Sequence, residues 1–294
     1  MYRSITFFNP YHNGDVHASR TFVKSIVDYM KPHNIPCNYA QINVANILMD
    51  IDGLACHNRQ ASLPIGEMFI VKNGDLYINT WYAAGHHKYL NKYNLTYNCL
   101  YHLFNEITNS CFNFDLSAIS SDKSYFFPDI DYSKYQIQSI DDIMSNNKRF
   151  TAFISNCDTM SGQAVNFDFN PIISTLADKY PDIIWIPTNI IRGRIIKRNV
   201  IYSADIIRKN GFDLNENGYL STKCDMIVGR ASGSHSFAYN KYNFFKSTKK
   251  NICFTDIDPL WYDKNDFELN YTNKIIHSKS TNPEEIIDTI SGEL

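Results

Sequence analysis

Residues 4–30 read SITFFNPYHNGDVHASRTFVKSIVDYM, and their reading decides the fold. The apolar run Ser4–Phe8 has the composition of a buried strand. The spacing of apolar residues after Val16 predicts a helix over 18–31. A strand followed by a turn and a helix this early is the first half of a βαβ unit, which points to a parallel sheet. The turn itself is richer than turning requires, because Asn13-Gly14 alone would reverse the chain. It also carries Asp15, flanked by His12 and His17. Asp15 has two readings: a carboxylate that takes a proton from a substrate hydroxyl, or a cap on a helix starting near Val16.

Composition bounds the rest. A chain of 294 residues accommodates two domains of about 150 residues each. With 44% hydrophobic and 20% charged residues it is ordinary for a globular protein. A net charge of −2 excludes a generally basic, nucleic-acid-binding surface. The seven cysteines are scattered without a C-x-x-C pair, which fits reduced thiols and not a disulfide framework or zinc site. No charged-then-apolar leader opens the chain, and no apolar run approaches the roughly 18 residues of a membrane span. The expectation is a cytoplasmic protein without a transmembrane segment.

Along the chain, CNYAQIN (37–43) reads as a strand. GEMFIVKNGDLYINTW (66–81) reads as a hairpin across Asn73-Gly74. YNCLYHLFNEITNS (97–110) has helical spacing. The polar stretch SIDDIMSNNKR (139–149) breaks the pattern and marks the expected boundary, giving domains 1–147 and 148–294. The second half restarts with strand RFTAFISN (149–156), helix PIISTLADKY opened by Pro171, and strand DIIWIPTN (182–189). SADIIRKNGF (203–212) reads as a helix stopped at Gly211. It is followed by strand CDMIVGR (224–230), a turn into a helix over 231–245, and strand KNICFTD (250–256). The last helix is capped by Asn282 with Pro283 at its first position. This alternation predicts an α/β protein of two Rossmann-like domains facing a central cleft.

Three further stretches carry chemistry. In CDMIVGRASGSHSF (224–237) a buried strand delivers small residues to a helix start, where free amides and the helix dipole favour an anion. Ser232, Gly233 and Ser234 supply the seat, Arg230 the charge; the plain reading is a Ser-capped turn. RGRIIKR (192–198) follows the C-terminal end of a strand, the edge where parallel sheets bind ligands. Arg192 and Arg194 are its best phosphate donors, against a reading as a solvated loop. The loop SNCDTMSGQAVNFDF (155–169) offers Ser155, Asn156, Ser161, Gly162 and Gln163 to a phosphate or ribose.

GDVHAS after the first strand, together with GRASGSHSFAY (229–239), resembles the two-domain GT-B glycosyltransferases of the ADP-heptose, heptosyltransferase-like type. The resemblance implies that Asp15 is the catalytic base, with His12 or His17 positioning the acceptor or stabilising charge. It implies that Ser232, Gly233 and Ser234, and with them His235, seat the donor diphosphate.

The expected function is therefore metal-independent transfer of a sugar from a nucleotide-diphosphate donor to an acceptor hydroxyl. The nucleotide sugar is a co-substrate and no other cofactor is expected. The acceptor stays open: a glycan, a lipid, a protein or a modified nucleic acid. The alternatives are a nucleotide-sugar epimerase or hydrolase, and a non-catalytic module binding nucleotide sugar or glycan. DID at 129–131 and 256–258 could hold a metal ion, but Asp and Ile are abundant enough to produce it by chance. GHHKY (85–89) lacks an acidic or cysteine partner nearby. The first turn has no G-x-G-x-x-G, which counts against a dehydrogenase.

Overall fold

The computed structural model describes residues 2–61, 63, 64, 66–84, 89, 96–160, 162–256 and 271–294. They form two compact units, which part after Asp131. The boundary expected at 147/148 therefore falls later than the division of the units. The reason is helix 138–144: its Ile140 and Met144 are buried with Phe153 of the second sheet, so the segment read as a linker belongs to the second core.

In the first unit the elements run β1 (Ile5–Phe8), α1 (Asn13–Met30), β2 (Cys37–Ala40), α2 (Val44–Ile47), β3 (Leu54–His57), β4 (Phe69–Lys72), β5 (Asp75–Asn79) and α3 (Thr96–Phe112). The sheet order is β3-β2-β1-β5-β4. β1 is central and pairs in parallel with β2 and β5, Phe8 standing opposite Ala40 and Asn79. Ile5, Phe7, Tyr39 and Ile78 are fully buried, as the unbroken apolar character of a central parallel strand requires. β4 is the antiparallel edge of the expected hairpin. Asn73 (φ 53°) and Gly74 (φ 84°) supply the two left-handed residues that a tight hairpin turn needs.

The second unit runs α4 (Gln138–Met144), β6 (Thr151–Ser155), α5 (Phe169–Lys179), β7 (Ile184–Pro187), α6 (Ser203–Ile207), α7 (Leu214–Thr222), β8 (Met226–Arg230), α8 (Lys241–Phe245), β9 (Lys250–Phe254), β10 (Lys274–Ser278) and α9 (Pro283–Ser291). The sheet is all parallel in the order β10-β9-β8-β6-β7. Ile154, Met226, Val228 and Ile252 pack under Ile172 and Leu176 of α5 and Ile286 of α9. On the other face Phe153, Ile186 and Ile227 pack against Ile206 of α6 and Leu220 of α7. Helices on both faces of a parallel sheet make this the expected Rossmann-like architecture. Two edge strands, β3 and β10, have no counterpart in the sequence reading. Exposure on one side weakens the apolar run that marks a buried strand.

Candidate functional site

Ligand chemistry in a parallel α/β sheet collects where strands end and helices begin. In the first unit that is the β1–α1 turn. The helix starts at Asn13, five residues ahead of the sequence expectation, and His12 is its N-cap residue, with extended backbone (φ −110°, ψ 150°) and no side-chain cap bond. The reading of Asp15 as the helix cap is thereby overturned. Starting the helix at Asn13 places Asp15 inside the first turn, where its amide already donates to the His12 carbonyl at 3.2 Å.

Asp15 is instead a buried carboxyl, 8% exposed. Among the described residues its carboxyl oxygens have no hydrogen-bond or ion-pair partner. Burial alone pushes its pKa up to about 7, overriding the preference of a helix N-terminus for a charged carboxylate. Two phenols lie within its field. Tyr39, at the end of β2, is fully buried and hydrogen-bonded to Thr80 Oγ1 at 2.5 Å. Tyr82, past the end of β5, is raised to about 12 by burial and then by the Asp15 charge. His12 is exposed, its ring 5.9 Å from that of Tyr11. His17 is fully buried in α1, so only His12 of the two imidazoles is open to solvent. The Tyr11 and Trp81 rings lie 4.7 Å apart beside it, tilted by 55°. Tyr39 and Tyr82 escaped the sequence reading; the available signal was their position at the C-terminal ends of strands flanking β1.

In the second unit the loops after β6, β7 and β8 meet at the same edge of the sheet. Asn156 (2% exposed) ties two of them together. Its amide donates to the Asn189 carbonyl at 2.7 Å, and its carbonyl accepts from Thr188 Oγ1 at 3.1 Å and the Asn189 amide at 2.8 Å. Ser155 is buried at the end of β6, and its hydroxyl has no partner among the described residues. Gly162 is exposed with φ 67°. The Gln163 carbonyl accepts from the Asp256 amide and Thr255 Oγ1, both at 3.0 Å. Ser161 lies outside the described residues, as do residues 257–258 of the second DID and most of GHHKY.

Arg230 closes β8 and is 1% exposed. It donates to Asp158 at 2.6 Å, to Asn166 Oδ1 at 3.0 Å and to the Phe167 carbonyl. Its guanidinium lies over the rings of Phe167 and Phe169, 4.7 and 5.0 Å from their centroids. The basic loop divides. Arg194 forms a bidentate pair with Asp205 at 2.7 and 2.8 Å. Arg192 stands 3.6 Å from Asp168, itself the N-cap of α5, and borders a shallow hollow floored by Arg230 and Asn156. Asp158, Asn166 and Asp168 were named only as part of a polar loop; their pairing with Arg230 and Arg192 depends on contacts the sequence does not display.

The turn after β8 differs from the expected helix start. It enters a 3₁₀ turn over His235–Ala238, and the short α8 follows after Asn240 restarts the helix by capping the Asn243 amide. Ser232 is responsible: its hydroxyl takes the His235 amide at 3.1 Å and its carbonyl the Ser236 amide at 3.1 Å. The amides of Ser232, Gly233 and Ser234 have no acceptor among the described residues, an arrangement that suits an anion. His235 is fully buried. Burial, and then the neighbouring His277, lower its pKa to about 3, so it brings no positive charge to that turn.

No protein-family model and no curated protein matches the sequence. Solved structures do match. The glycosyl transferase family 9 protein of Veillonella parvula aligns over 100% of this chain and 90% of its own, with TM-score 0.55 at 10% identity. The heptosyltransferase WaaC of E. coli aligns over 99% and 100%, with TM-score 0.54 at 12% identity. The E. coli ADP-heptose LPS heptosyltransferase II aligns over 98% of both chains, with TM-score 0.52 at 10% identity. The chain has the GT-B fold. The GT-B likeness spans both units, so the α/β, two-sheet architecture expected from the sequence holds throughout. Among the described residues no helix is long and apolar enough to cross a membrane.

Proposed function

We propose that this chain is a glycosyltransferase moving a sugar from a nucleotide-diphosphate donor to an acceptor hydroxyl, with Asp15 as general base. The observation that carries the reading is Asp15 itself. A carboxyl at the first β–α turn, buried, without a partner among the described residues and pushed up to about 7, is suited to accept a proton near neutral pH. We assign the acceptor to the first unit and the nucleotide sugar to the second.

In this scheme Asp15 takes the proton of the acceptor hydroxyl as its oxygen bonds to the anomeric carbon. The bond from that carbon to the donor phosphate breaks, and the nucleoside diphosphate leaves with the electron pair. The open amides of Gly233 and Ser234 and the Arg192 guanidinium receive its growing negative charge. Arg230 and Asn156 hold the loops that carry them. The scheme uses no metal ion and no cofactor. The fold is permissive and not decisive, but it supports the reading, since the E. coli WaaC structure was determined with ADP-2-deoxy-2-fluoro heptose. All seven cysteines are free thiols, in keeping with a cytoplasmic enzyme.

The test is a screen of nucleotide sugars by thermal shift, because a ligand bound only by the native state raises the melting temperature. Turnover of the stabilising donor with a panel of acceptors then follows, in wild type and Asp15→Asn. Loss of about 10²-fold or more in turnover at unchanged donor affinity is expected. A fully active Asp15→Asn protein would sink the assignment of the base. Donor cleavage without transfer would point to a hydrolase.

A further inference from the structure

The first unit carries a second cavity, of about 580 Å³, at the edge of the sheet where the parallel strands begin. Tyr2 precedes β1 while Asp15 follows it, so this cavity and the proposed base lie at opposite ends of the same strand. Its wall is aromatic: Tyr2 and Phe112 meet at 89° with centroids 6.0 Å apart, and Tyr29 stands 6.4 Å from Phe112. Tyr29, at the last turn of α1, is 39% exposed, and Val71 at the rim is 53% exposed. The Tyr29 ring packs against Phe114, centroids 4.4 Å apart, and the rest of it stays open.

The polar groups of the wall are two phenols, a thiol and an imidazole. Burial pushes the Cys111 thiol up to about 11, so it stays protonated, and burial likewise raises the neighbouring Tyr2 phenol. The Tyr29 hydroxyl and the exposed His33 imidazole, whose rings lie 5.8 Å apart, have no hydrogen-bond partner among the described residues. Among the described residues the lining contains no Asp, Glu, Lys or Arg, and Arg3, which lies against Gly74, is paired with Asp75 at 2.9 Å. A charged ligand would find no counter-ion there, and an acyl chain would leave the phenol and imidazole groups unmatched. A sugar ring meets both demands: its C–H face lies on an aromatic face, which carries negative charge, and its hydroxyls reach the phenol and imidazole. The volume falls within the range of small-ligand sites.

We infer that this cavity binds a neutral saccharide of one or two rings, at a site separate from the one that holds Asp15. This inference does not depend on the transferase reading. The test is saturation-transfer NMR and calorimetry on the full chain with N-acetylglucosamine, lactose and maltose, and with 1-octanol as the apolar probe. At least one saccharide is expected to bind saturably. Its affinity should fall tenfold or more in Tyr29→Ala, and also in Val71→Trp, which fills the mouth from an exposed position if the first variant folds poorly. Asp15→Asn should bind it as wild type does. Binding lost in Asp15→Asn but kept in Tyr29→Ala and Val71→Trp would place the sugar at the other site and overturn the inference. Failure of all three saccharides, or occupation by 1-octanol alone, would overturn it as well.

Discussion

The ring of His235 rests on the backbone of Gly229: a Cβ built on Gly229 would lie 2.4 Å from Nδ1 of that ring and 2.9 Å from the Ser155 Cβ. Gly229 lies within the buried strand β8, one residue before its end at Arg230, so the close approach of the second motif to the sheet requires glycine there. The need is for space, not for an unusual φ. Gly229→Ala should destabilise the second unit by about 1–3 kcal/mol, as over-packing of a rigid core does. Urea unfolding followed by Trp185 fluorescence, reporting from the core of the same unit, measures it. An unchanged midpoint would show that the ring can move aside.

Asp15 sets a pH dependence whose sign is fixed. Its folded pKa of about 7 lies above the ordinary value of 3.8, so between those values the native state holds a proton that the unfolded chain has released. Stability is therefore lost as pH rises from about 4 through 7. Asp15→Asn removes the loss. It should match wild type at pH 4 and be more stable at pH 8, by about 2–4 kcal/mol, the value of two to three pKa units. Paired denaturant titrations at the two pH values decide it. For catalysis the same carboxyl predicts turnover rising with pH through about 7.

The donor turn predicts a division among substitutions. Gly233→Val places a branched side chain at a turn whose amides have no acceptor among the described residues. Arg192→Ala removes a guanidinium whose only ion pair among the described residues, to Asp168, is 3.6 Å long. Each should weaken ADP or UDP binding by roughly tenfold or more, the value of a charge-assisted bond. Arg194→Ala should leave nucleotide affinity within about twofold, because its side chain is turned to Asp205 and that exposed pair contributes little energy. Calorimetry with both nucleotides separates the cases. Equal losses for Arg192 and Arg194 would return both to the phosphate site.

Arg230 is a tie for the loops around that turn. Arg230→Lys keeps the charge but cannot span Asp158, Asn166 and the Phe167 carbonyl together, nor stack on two phenylalanine rings. A loss of about 1.5–3 kcal/mol is expected, with nucleotide binding weakened alongside. Thermal unfolding of the variant checks the first part. Full stability in Arg230→Lys would show that one ammonium suffices.

How legible the site was in the sequence differs residue by residue. Asp15 stood out because it sits in a strand–helix turn that needed no carboxylate. Its capping alternative failed because helix starts are set by local backbone competition that spacing does not resolve to a few residues. Ser232 was placed in the right turn, but the 3₁₀ geometry that follows depends on its own hydroxyl taking an amide. His235 was read as a ligand group because a histidine beside glycine and serines has that look; only the position of β8 beneath it shows the ring buried and neutral.

The sequence by itself determined the strand–helix alternation, the two parallel-sheet cores and the edge at which the chemistry collects. Periodic apolar residues encode those directly, since each element buries one face. The tertiary structure decided the environment of each polar side chain. It left Asp15 buried without a partner among the described residues, committed Arg194 to Asp205 and Arg230 to Asp158, and drew helix 138–144 into the second core. Desolvation and ion pairing act over a few ångströms between residues distant in the chain. Their outcome exists only once the strands have brought those residues together.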